Sequence, residues 1–149
     1  MSELPALLDS TVGLTTRQKI ERMEVEMRQC PQVPIKYVHH FGDGVYAREI
    51  TIPKGTLLTG KIHKYTQINI LSKGDIEVMT QDGMRRVQAP FTVVSPPGTK
   101  RIAIAHEECV WTTILRTDLT DPDDIEDYFV CDTDEQYLQF KQSLLEDQS

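Results

Sequence analysis

The chain has no run of about 18 apolar residues, the length a helix needs to cross a bilayer. Its first residues, Met1-Ser2-Glu3-Leu4-Pro5, lack the basic and apolar regions of an export signal. A soluble, cytoplasmic protein with no membrane partner is expected. Cysteine is scarce: Cys30, Cys109 and Cys131 are odd in number, lie far apart and show no Cys-x-x-Cys spacing. That pattern argues for reduced, packed thiols rather than a catalytic thiolate. Basic patches are also missing. Arg85-Arg86 and Lys100-Arg101 are scattered pairs, too few to displace counterions from a phosphate backbone, so nucleic acid is not an expected partner. No internal repeat or low-complexity tract is evident.

Acid is present in excess and unevenly placed. Residues 1–115 hold 14 Lys or Arg against 12 Asp or Glu, whereas residues 116–149 hold 2 against 11. The net charge of -7 therefore sits in the tail. The 149 residues suit a single domain with a real core.

Thr15-Thr16-Arg17-Gln18 matches a capping box, and Ile20, Met23 and Met27 recur on one face, which predicts a helix over about 16–29 ended by Pro31 and Pro34. From 35 the pattern changes to short runs rich in Val, Ile, Thr and Tyr. Strands are expected at 35–40, 45–52, 56–63, 66–72, 75–80, 84–88, 91–95, 101–105 and 109–116. Turns fall at Gly42-Asp43-Gly44, Pro53-Lys54-Gly55, Lys73-Gly74-Asp75, Gln81-Asp82-Gly83 and Pro96-Pro97-Gly98. Strands so close together, with no helix between them, indicate a sandwich or barrel. Helical signals return at Asp121-Pro122, with Ile125, Tyr128 and Phe129 as an apolar stripe, and again at Thr133 to Gln136, with Tyr137, Phe140 and Leu144 behind it. Acids near both helix starts complement the macrodipole.

Side chains two apart in a strand share a face, so Lys61, His63, Tyr65, Gln67 and Asn69 form a polar column if the backbone stays extended. A register slip at Tyr65-Thr66 is the competing reading, with the polar face meeting solvent. His39 and His40 must point to opposite faces. His106, beside Glu107 and Glu108, is expected in solvent, and Trp111 in the core.

Gly55 through Gln67, with Lys61, His63 and Gln67 at alternate or near-alternate positions and Gly74 following, resembles the first motif of the cupin superfamily. Ser95-Pro96-Pro97-Gly98-Thr99-Lys100-Arg101 resembles the second. The resemblance implies an all-β, cupin-type double-stranded β-helix (jelly-roll) barrel over 35–116, an N-terminal helical arm over 1–34, an acidic helical segment over 117–149 packed on the barrel, and a homodimer. It also places the family's metal-binding histidines and glutamate on Lys61, His63, Gln67 and Arg101. Lysine and arginine have no lone pair to offer, so neither a metal nor another cofactor is expected. Over about 33–130 the chain further resembles small cupin-like proteins of bacteriophages and prophages, which implies a viral setting; members carry histidines where Tyr65 and Gln67 stand here.

In a cupin the column lines the cavity. Lys61 and Arg101 inside one cavity require an anion or an internal carboxylate, for which Glu49 and Asp75 are the candidates. The expected function is a non-enzymatic protein binding a small anionic or polar molecule. Lys61, Arg101 and His63 hold a phosphate or carboxylate, and Tyr65, Gln67, Asn69 and Arg48 supply further hydrogen bonds; a host metabolite or nucleotide signal is a candidate ligand. Two alternatives stand beside it. One is an enzyme, an isomerase, lyase or oxygenase, with metal on His63 and Gln67 or with His63 as base and Tyr65 as acid. The other is a structural or virion-associated oligomer.

Overall fold

A computed structural model describes residues 15–80 and 83–147. The first described element is helix α1, Thr16–Met27, where the Thr15 hydroxyl accepts from the Gln18 backbone N–H and the Gln18 side-chain Oε1 accepts from the Thr15 backbone N–H. Ten strands follow: β1 Lys36–Gly42, β2 Val45–Ile52, β3 Leu57–Thr59, β4 Ile62–His63, β5 Gln67–Lys73, β6 Asp75–Thr80, β7 Gly83–Gln88, β8 Phe91–Ser95, β9 Ile102–Ala105 and β10 Cys109–Arg116. Helix α2, Pro122–Phe129, strand β11, Val130–Cys131, and helix α3, Asp134–Asp147, complete the described chain.

The strands form two main antiparallel sheets, ordered β1-β2-β10-β5-β8 and β3-β9-β6-β7, and a small β11-β4 pair. Ile50, Ile52 and Leu71 from the first sheet meet Ile76, Val78 and Ala105 from the second, which makes a sandwich with its core between the sheets. Burial of each large side chain contributes on the order of 1.5–3 kcal/mol. Val78 points into that core, so its neighbour Met79 faces outward, and there Ile20 and Met23 of α1 cover it together with Ile102. At one end of the first sheet, Tyr46 and Leu115 pack against Ile125 and Phe129 of α2. Helix α3 buries no residue; Asp134 at its start pairs with Arg17 of α1 at 2.9 Å.

Gly74 joins β5 to β6 at φ 104°, and a Cβ there would lie 2.5 Å from the Glu108 carbonyl and 2.6 Å from Cys109 Sγ. Only glycine fits that crossing. The three cysteines are free, with Cys30 exposed and Cys109 and Cys131 buried. Among the described residues no helix is long and apolar enough to cross a membrane.

The expected strand over 56–63 is broken by Gly60-Lys61 into β3 and β4, and the short β11 was not foreseen. Residues 1–14 of the expected arm, Gln81 and Asp82 of one expected turn, and residues 148 and 149 lie outside the described residues.

Candidate functional site

The inner face of the first sheet changes character along its strands. Ile50, Trp111 and Leu71 stand side by side in register, and so, two residues further along, do Arg48, Thr113 and Asn69. Gln67 then pairs with Ser95 on the edge strand β8. An apolar half thus passes into a polar belt. Asn69, Gln67, Ser95 and Thr113 are all buried, so each needs a partner. Thr113 Oγ1 donates to Asn69 Oδ1 at 2.8 Å, Asn69 Nδ2 donates to Ser95 Oγ at 2.8 Å, and Arg101 Nη2 donates to the same hydroxyl at 3.0 Å.

Above this belt lies a cavity of about 280 Å³, walled by Arg48, His63, Gln67 and Thr113 from the strands and by Ile125 and Phe129 from α2. Asp123 and Glu126 of α2 also border it. His39 borders it too, with its Nδ1 bonded to the Tyr46 hydroxyl. Among the described residues, four buried side-chain atoms have no hydrogen-bond partner: Arg48 Nε, His63 Nδ1, Gln67 Oε1 and Arg101 Nε. Each such atom costs about 1–3 kcal/mol when left unsatisfied. Arg48, His63 and Gln67 border the same cavity, and Arg101 is bonded to Ser95, the strand partner of Gln67.

Burial, and then the nearby charges of Arg48 and Arg101, lower the His63 imidazole to about 4. His63 is therefore neutral near pH 7. Burial also lowers Arg101 from its ordinary value. Among the described residues, neither Arg48 nor Arg101 pairs with a carboxylate.

Of the residues expected to line the site, Arg48, His63 and Gln67 border the cavity, Asn69 supports it from the belt, and Arg101 is tied to the belt through Ser95. Lys61 and Tyr65 do not join them. The backbone bends at Lys64 and Tyr65, which breaks the expected column. Lys61, half exposed, reaches the acidic tail instead, with its Nζ 2.9 Å from Glu126 Oε1 and 3.4 Å from Asp132 Oδ1. Tyr65 stacks on Tyr128 at 5.1 Å and meets Phe129 and Phe140 edge-on at 5.5 and 5.4 Å. Burial and the Tyr128 hydroxyl push its phenol up to about 12.

The expected internal carboxylates are engaged elsewhere. Glu49 faces His40 at 3.4 Å, and Asp75 binds Arg86 and Gln88. His106, expected in solvent, is instead largely buried against Glu77 at 2.6 Å. Sequence reasoning missed Ser95 and Thr113; the only available signal was the place of Ser95 at the head of the Pro96-Pro97-Gly98 turn.

No family model matches the sequence, and no curated protein matches it. Solved structures do match in shape. An RmlC-like cupin from Shewanella frigidimarina NCIMB 400 superposes with a TM-score of 0.50 at 16% identity, over 61% of this chain and 80% of that one. The fold is a cupin β-sandwich. A cupin superfamily protein from Desulfitobacterium hafniense DCB-2 gives a TM-score of 0.49 at 9% identity, over 60% and 83% of the two chains. KdgF from Halomonas sp. gives 0.47 at 23%, over 61% and 82%.

The metal suggested by the cupin motifs does not suit the residues present. Among the described residues no group of three His, Cys, Asp or Glu is placed to hold a metal ion. Around His63 stand two guanidiniums, which are donors only, and one amide.

Proposed function

We propose that this cupin-fold protein binds a small anionic or polar molecule between Arg48, His63, Gln67 and Arg101. The observation that carries the reading is the set of four buried, unpartnered atoms on those residues. Two of them are guanidinium N–H donors, His63 Nδ1 offers a donor or an acceptor according to tautomer, and the Gln67 carbonyl accepts. A phosphate or carboxylate satisfies the donors and offsets two partly buried charges that pair with no carboxylate among the described residues. Asp123 and Glu126 at the rim disfavour a large anion on the α2 side, and Glu126 is neutralised by Lys61.

The wider reading accompanies this site. The sandwich is taken as a double-stranded β-helix over 35–116, with an arm over 1–34 and a helical segment over 117–149, in a phage-encoded cytoplasmic protein. Pairing as a homodimer through the outer face of the first sheet is supported by Ile68 and Val94, which stand opposite each other and exposed. An acid–base enzyme using His63 and Tyr65 lacks support, because Tyr65 is held in the aromatic cluster.

Native mass spectrometry of untagged protein reads subunit count, metal and any co-purifying molecule together. Calorimetric titration with inorganic phosphate and with acetate then tests the site directly. Binding that is lost in Arg48→Ala and Arg101→Ala supports the proposal. Absence of binding to both anions, or binding unchanged in both variants, overturns it.

A further inference from the structure

A second and larger cavity, of about 850 Å³, opens beside α1. Its apolar wall includes Val78, Phe91, Val93 and Trp111, residues that belong to the facing surfaces of the two sheets. Interiors are close-packed, with few voids larger than a water molecule, and small barrels fill their inward positions with side chains. Here the sheets, α1 and the loop over 96–101 border a half-open cleft within the range of about 300–1,000 Å³ used for organic ligands.

The charge around this space has one sign. Its titratable lining consists of Arg17, Arg85, Lys100 and Arg101, and no Asp or Glu contributes among the described residues. Arg17 and Lys100 are already committed, to Asp134 at 2.9 Å and to Glu24 at 2.7 Å. Among the described residues, Arg85 and Arg101 pair with no carboxylate. The Arg85 guanidinium carbon lies 5.1 Å from the centroid of the Phe91 ring, an arrangement that suits a flat π-system, since both cations and aromatic rings stack on one. Arg101 stands between this cavity and the smaller one: it lines the larger space and donates to Ser95, whose cross-strand partner Gln67 borders the smaller.

We infer that the ligand is an aromatic anion, with its charged group held by Arg101 together with Arg48 and His63, and its flat apolar body lying in the larger cavity against Phe91 and Trp111 beside Arg85. This inference rests on the anion site proposed above and adds the ligand's chemical class. A small inorganic anion uses only the charged end and leaves the apolar wall wet, whereas an aromatic acid buries its ring there.

Trp111 is the chain's single tryptophan, so its emission reports the larger cavity. Three probes separate the possibilities when titrated by calorimetry and by Trp111 fluorescence: 4-nitrobenzoate, acetate and the uncharged 4-nitrobenzyl alcohol. The nitro-aromatic ring quenches tryptophan on close approach. Expected is 4-nitrobenzoate binding at least about tenfold tighter than both acetate and the alcohol, with quenching of Trp111, because ring burial and charge pairing add. Arg85→Ala changes an exposed side chain, and its fold is checked by thermal melting; it weakens 4-nitrobenzoate severalfold and leaves acetate unchanged. Acetate binding as tightly as 4-nitrobenzoate, with Trp111 emission unaltered, overturns the inference while the anion site stands. The alcohol binding as tightly as the acid, with Arg101→Ala without effect, overturns the anion site and the inference with it.

Discussion

Asn69 and Ser95 are joined across the β5–β8 pair by a 2.8 Å hydrogen bond from Nδ2 to Oγ, with both side chains out of solvent. Ser95 Oγ also accepts from Arg101, and Asn69 Oδ1 accepts from Thr113, so one chain of bonds crosses β10, β5 and β8 and ends on a cation of the site. Such a network rigidifies what it holds, and it becomes costly when a member is removed. The belt is therefore the support that aims Arg101.

Asn69→Ala removes the donor to Ser95 and the acceptor for Thr113 at once, inside a region closed to water. The expected loss is about 2–3 kcal/mol of stability, read as a lower urea midpoint with the slope unchanged. A variant within about 0.5 kcal/mol of the parent would show that water replaces these bonds at little cost.

Lys61 and Arg101 are expected to behave differently, although both were assigned to one pocket from the sequence. Lys61 makes half-exposed ion pairs with Glu126 and Asp132, a type of contact worth about 0–1 kcal/mol. Lys61→Ala should leave phosphate affinity within about twofold of the parent. Arg101→Ala should weaken it by about tenfold or more, since a hydrogen bond to a charged group is worth roughly 1.5–3 kcal/mol. Equal losses in the two variants would place Lys61 in the site after all.

The sheets were legible because Val-, Ile- and Thr-rich runs alternate with turn signals: β2, β6, β8 and β10 have the expected bounds, and Gly or Pro signals flank β2 and β6 at both ends. The site was legible only where strand geometry persisted. Gln67 and Asn69 lie on one continuous strand, β5, and share its inner face as alternation requires. Lys61 and Tyr65 lie on either side of the two-residue β4, where alternation no longer dictates direction. Their partners are Glu126, Tyr128, Phe129 and Phe140, some sixty residues or more away, and local pattern holds no information about such contacts. Ser95 and Thr113 escaped notice for another reason: a hydroxyl in a strand has no signature until its cross-strand neighbours are known.

Tyr65 provides a test of that division. Its ring anchors the loop after β4 against α2 and α3, whereas no observation connects its hydroxyl to the anion site. Tyr65→Phe should bind phosphate as the parent does. Tyr65→Ala should lose about 2–3 kcal/mol of stability through lost ring packing. Phosphate binding that falls in Tyr65→Phe, with the melting temperature preserved, would return the hydroxyl to the site.

His63 makes stability depend on pH in a direction that can be worked out. Its folded value of about 4 lies below the ordinary 6.5, so between those limits the unfolded chain binds a proton that the folded protein refuses. Stability therefore rises with pH across this window. The contribution is fully present above pH 6.5, declines as pH falls toward 4, and does not change further below that. The difference corresponds to about 3 kcal/mol at most, at roughly 1.4 kcal/mol per pH unit. Arg48 of β2 and Arg101 before β9 oppose the charged imidazole, and Asp123 and Glu126 of α2 border the same cavity without reversing that balance. Urea midpoints of the parent and His63→Gln at pH 5 and pH 7 isolate the effect from other titrating groups. The parent should lose more stability between the two pH values than the variant does, and parallel losses would remove His63 as the cause. An anion bound between the arginines relieves part of their opposition and raises the imidazole toward its ordinary value. Phosphate binding at pH 5 should accordingly take up protons, measured as a buffer-dependent binding enthalpy that disappears in His63→Gln.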